Sequence, residues 1–217
     1  MNSTDFDRII AQERKVLASI KEQGEKLIPE FKRITASYIR ELSIQLMKSY
    51  FRYKPEVTKS LGTEKLEEIK REFTGILDSL PEHTSKRLDD NQIWLHREKI
   101  PDRAVTDMSY SYYFEKRSNK SMDEAIRELI GLVGSMLIKY GFVEPAKDFT
   151  WKMTPGGIPQ YANDLPSKGM DHHKALTKLM EQYKNILVEY VFAIQNLKKA
   201  EQAKNSAQAA GGLPPKT

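Results

Sequence analysis

The sequence predicts a mainly α protein in which long antiparallel N- and C-terminal helices form a bundle or stalk, with a small α+β insertion in the middle. Three observations carry this. Apolar residues recur at three- and four-residue spacing near both ends, charged residues make up 30% of the chain against 39% hydrophobic, and the middle changes to short aromatic runs punctuated by Pro and Gly. The helical period puts the apolar residues on one stripe, which a mate must cover.

Along the first stretch, about Asp5 to Tyr53, the residues Ile10, Leu17, Ile20, Leu27, Phe31, Ile34 and Tyr38 form a heptad-like seam in which Glu13 and Gly24 are polar or small gaps. Pro29 removes a backbone donor and crowds the preceding turn, so a kink or break is expected near residues 24–29. Pro55 and Gly62 mark a turn. Leu66, Ile69, Phe73, Ile76, Leu77 and Leu80 mark a second amphipathic helix, which Pro81 is expected to end, leaving Glu82 to Asp90 as loop.

In the middle, Ile93–Leu95 and Met108–Phe114 have the short aromatic character of strands. Ser121-Met122-Asp123-Glu124 has the form of a capping box and is expected to open a helix over Ile126 to Tyr140, with Gly141 placed to end it. Gly131 and Gly134 inside that helix are read as sites of close helix packing rather than a phosphate clamp. Phe149–Met153, Thr154–Gly157 and Ile158–Tyr161 read as strand, turn and strand. A long helix then returns from about Met170 to Lys204 with Leu176, Leu179, Tyr183, Ile186, Tyr190, Ile194 and Leu197 on its seam. The expected organisation is therefore 1–90 as the N-terminal helical part of the bundle and 91–165 as the α+β head. Residues 166–204 form the closing helix and 205–217 a disordered tail.

Composition excludes several functions. Without cysteine there is no disulfide framework, thiolate nucleophile or thiolate metal site. No apolar run approaches the roughly 20 residues of a membrane span, and the polar N-terminus lacks a signal-peptide core, so a cytoplasmic protein is expected. The four histidines offer no metal-ligating pair at helical spacing: His172 and His173 are adjacent, and adjacent helical side chains point about 100° apart. No nucleophile elbow, phosphate loop or dinucleotide motif occurs. The reading is accordingly no enzyme, no cofactor and no metal.

What remains is surface. Unburied seam at Leu17, Ile20, Leu27, Tyr183, Ile186, Tyr190 and Ile194 suits a protein partner or a homo-oligomer, and a structural or interaction protein is the first functional expectation. The alternative is nucleic-acid binding. Residues 1–60 carry 12 basic against 8 acidic side chains and residues 151–217 carry 9 against 5, for a net charge of +5. Lys116, Arg117 and Lys120 follow the aromatic run Tyr110–Tyr113, Lys174, Lys178 and Lys184 line the last helix, and 121–161 has the order of the last helix and wing of a winged-helix domain.

Overall fold

The computed structural model describes residues 3–91, 109–143 and 167–211. Five helices fill these segments: α1 Ser3–Tyr53, α2 Pro55–Ser60, α3 Thr63–Asn91, α4 Ser109–Lys139 and α5 Ser167–Gly211. Among the described residues there is no strand. The chain divides into two bodies. Body one holds 1–28, 93–117 and 180–217, and body two holds 29–92 and 118–179.

In body one, the start of α1 runs antiparallel to the distal part of α5. Asp7 accepts a 2.6 Å bond from Lys204, Arg14 donates to Glu201 at 3.1 Å, and the Lys21 ammonium lies 5.6 Å from the Tyr190 ring centroid. The α1 members recur every seven residues, so one flank of a heptad carries all three contacts. Beside that flank, Ile10, Ile20, Tyr183, Leu187, Tyr190 and Val191 are buried.

Body two packs α3 antiparallel to both α1 and α4. Lys32 meets Asp89 at 2.7 Å while Arg40 reaches the Leu77 carbonyl at 3.3 Å. Arg87 pairs with Glu128, and Lys139, at the other end of α4, meets Glu72 at 2.6 Å. Here α1 is buried over a wide face through Phe31, Ile34, Ala36, Tyr38, Ile39, Leu42, Leu46 and Met47, because partners reach it from several directions. Those partners include Phe142, whose ring stacks on Phe51 with centroids 4.8 Å apart, and His173 of α5.

Helix ends follow backbone chemistry. Lys54, ahead of Pro55, leaves the helical region at φ −124° and ψ 58°, which separates α1 from α2. Gly141 takes φ +78°, its N–H donates to the Ile138 carbonyl, and the Phe142 N–H donates to Leu137 at 2.9 Å. This is a Schellman closure with its hydrophobic partners Leu137 and Phe142 both buried.

Several sequence expectations are corrected. Pro81 does not end α3, and 82–90 is helix. The carbonyl that Pro81 leaves without an amide donor, Leu77, is taken by Arg40, and Leu80, Thr84 and Leu88 continue the buried face. Pro29 does not break α1 either. It and Glu25, whose carbonyl loses its donor, are both exposed, which leaves that carbonyl open to solvent. The expected strand at Met108–Phe114 is helix from Ser109 onward, with Met108 outside the described residues.

Ser121 therefore lies inside α4 rather than at its cap, and Glu124 pairs with Lys120 one turn back. Gly131 makes no close packing contact: a β-carbon there would meet nothing within 4 Å. In place of a disordered tail from 205, α5 continues to Gly211. The α+β head thus loses its Met108–Phe114 strand to helix from Ser109 onward, while Ile93–Leu95 and the hairpin at 149–161, and with it the wing, lie outside the described residues.

Gly131 inside α4 and Gly141 just past its end should respond oppositely to alanine. Gly131→Ala should stabilise by up to about 1 kcal/mol through helix propensity, and Gly141→Ala should cost about 1–2 kcal/mol for a left-handed backbone. Urea unfolding followed by circular dichroism reads both. The Ser43 and Thr84 hydroxyls are fully buried with no hydrogen-bond partner. Thr84→Val keeps the shape and removes the desolvated hydroxyl, so it should raise stability by about 1 kcal/mol in the same assay.

Candidate functional site

The seven seam residues divide into two groups. Ile20, Tyr183 and Tyr190 are buried within the chain, whereas Leu17, Leu27, Ile186 and Ile194 stay half-buried. All seven belong to body one. Of the three large hydrophobic side chains that are exposed among the described residues, two lie in the same body: Val16 at 38% and Phe192 at 45%. Val16 sits in an exposed stripe with Gln12, Ser19 and Gln23 at helical spacing, and none of these is charged. One charged flank of α1 is engaged with α5 through Asp7–Lys204 and Arg14–Glu201, while Arg8, Lys15, Glu22 and Lys26 lie exposed on another.

The cations put forward for nucleic acid are interleaved with acidic side chains along their own helices. Lys116 and Lys120 share a stripe of α4, where the next turn brings Glu124, 3.7 Å from Lys120. Arg117 lies in α4 with its side chain outside the described residues. Lys174 and Lys178 are exposed between Asp171 and Glu181 on one stripe of α5, and Lys184 is half-buried. Mixed sign at this spacing is the pattern of a solvated helix face.

Body two contains two polar arrangements that the sequence reading missed. In the first, Tyr140 places its hydroxyl 2.7 Å from Glu72 and 3.0 Å from Glu68. Lys139 bonds Glu72 and Lys65 bonds Glu68, each at 2.6 Å, and the two ammonium groups lie 4.8 and 5.6 Å from the Tyr140 ring centroid. The Lys65 bond, then Tyr140, holds the Glu68 carboxyl below the usual range, and Lys139, then Tyr140, does the same for Glu72. Each carboxylate therefore stays ionised and clasps the end of α4 to α3. The signal was present as Glu68 and Glu72, one turn apart, but the mates that tie them to α4, Lys139 and Tyr140, lie about seventy residues along the chain.

In the second arrangement, the His173 ring lies 5.9 Å from the Tyr38 ring at an interplanar angle of 54°. Burial pushes the Tyr38 phenol up, with the negative charge of Asp123 adding to it, and burial also raises the Asp123 carboxyl. His173 is shifted the other way, since burial disfavours its imidazolium. Tyr38 was legible only as a seam residue and Asp123 only as part of a cap. Among the described residues, no group of three or more His, Cys, Asp or Glu side chains forms a metal site, and no helix is long and apolar enough to cross a membrane.

No protein-family model matches the chain, and neither a curated protein nor a solved structure does.

Two pH dependences follow from these shifts. His173 has a folded pKa below 6.5, so the unfolded chain binds the proton more tightly; stability is full above about pH 6.5 and falls as pH drops through the folded value. His173→Gln should flatten that loss in thermal melts between about pH 7 and pH 5. Glu68 and Glu72 also have lowered values, so their contribution is present above about pH 4.5 and lost below it. Glu68→Gln/Glu72→Gln should lower Tm near neutrality and shrink the gap to the parent chain as the solution is acidified.

Proposed function

We propose that this chain is a non-enzymatic, cytoplasmic interaction protein that assembles with a second copy of itself through the helices of body one, in the manner of a coiled coil. The observation that carries this reading is the incomplete burial of the body-one seam. Leu17, Leu27, Ile186 and Ile194 are half-covered, and Val16 and Phe192 stand in solvent. Apolar surface left in water forgoes about 25 cal/mol per Å², and a helical mate recovers it. The stripe Gln12-Val16-Ser19-Gln23 supports such a mate because none of its four side chains carries a charge that an arriving helix would have to desolvate.

A second copy suits the electrostatics. Residues 1–28 carry five basic and five acidic side chains, so two copies of this segment approach without net repulsion. The interleaved signs around Lys116, Lys120, Lys174 and Lys178 favour this reading over nucleic-acid binding.

Sedimentation equilibrium from about 5 to 200 µM should show a monomer–dimer equilibrium in the micromolar range. Val16→Glu and Phe192→Glu should each weaken it about tenfold or more by placing a charge in the interface, while the far-ultraviolet circular dichroism stays unchanged. A chain that remains monomeric throughout that range would sink the self-assembly reading.

A further inference from the structure

We propose that Arg40 and Pro81 form a register lock between α1 and α3, in which the guanidinium replaces the backbone donor that the proline lacks. In an unbroken α-helix the carbonyl of residue 77 accepts from the amide of residue 81, and proline has no such amide. Leu77 is a buried residue and its carbonyl bond to Arg40 is part-buried, so a backbone acceptor left unpaired there costs free energy.

Arg40 reaches across from α1 and donates from Nη1 to that carbonyl at 3.3 Å, with the Asp78 carboxylate 4.0 Å from the same nitrogen. A guanidinium suits this position because its charge strengthens the bond and its other donors remain available to solvent.

The contact is directional and local, whereas apolar packing of two helices tolerates sliding. Displacing α1 along α3 by one turn moves Arg40 about 5.4 Å and orphans the carbonyl. Only the native register satisfies both the Pro81 defect and the Lys32–Asp89 pair at the far end of the same two helices. The lock also carries the chain through Pro81 into the turns that hold Thr84, Arg87, Leu88 and Asp89, where α3 meets α1 and α4.

The test is a double-mutant cycle on the full chain. Arg40→Met should lower the folding equilibrium constant about tenfold where residue 81 is proline. Pro81→Ala supplies the missing N–H, and in that background Arg40→Met should cost no more than about twofold. Any contribution from the Asp78 pair or from stem packing is lost equally in both backgrounds and cancels. Hydrogen exchange gives a second readout: protection of amides 82–91 should fall in Arg40→Met and return in Arg40→Met/Pro81→Ala. Equal losses in the two backgrounds, by either measurement, would overturn the lock.

Discussion

An amphipathic helix in water is stable only where something covers its apolar stripe, and this chain commits 51 residues to one helix and 45 to another. The rest of the architecture answers that demand. In body one a single heptad flank of α1 is fastened to α5, with the seam buried beside it. In body two α1 is covered across a wide face and draws on α3, the residue after the α4 cap, and α5. The same helix thus meets two environments, and its composition changes accordingly, from Glu13, Val16 and Gly24 near its start to Phe31, Ile34, Tyr38, Ile39 and Leu42 further on.

Backbone donors impose the second constraint, and three prolines show how its outcome depends on surroundings. At Pro55 the preceding residue leaves the helical region and the chain turns. At Pro29 the orphaned carbonyl is on an exposed stretch, open to solvent. At Pro81 the carbonyl belongs to a buried residue and a side chain from another helix takes the place of water. Identical local chemistry ends a helix, leaves it intact, or ties it to a neighbour, according to what surrounds the freed acceptor.

That is why some of the fold was legible in the sequence and some was not. Helical periodicity located α1, the first part of α3, the core of α4 and α5, because burial of a stripe leaves a period in the residues themselves. Gly141 was legible for a related reason, since a left-handed closure needs a particular residue type. Pro81 misled because Arg40, forty-one positions earlier, decides its effect. The aromatic run at 109–114 misled because local strand propensity yields to the helix that contains it. The seam residues of the candidate interface were readable as a set, but which of them the chain covers for itself depended on the α1–α5 register. The Tyr140 clasp and the Tyr38–His173 contact depend on pairings between distant helices, which no local pattern records.

Body one has a consequence for biosynthesis. It joins residues 3–28 to residues 180–211, which are synthesised about 150 residues later. At about 5–20 residues per second, the seam of Ile10, Leu17 and Ile20 waits on the order of ten to forty seconds for its cover. Throughout that interval a nascent chain offers a naked apolar stripe to chaperones, to neighbouring nascent chains on the same message, and to proteases. The start of α1 is made long before the helix that covers it.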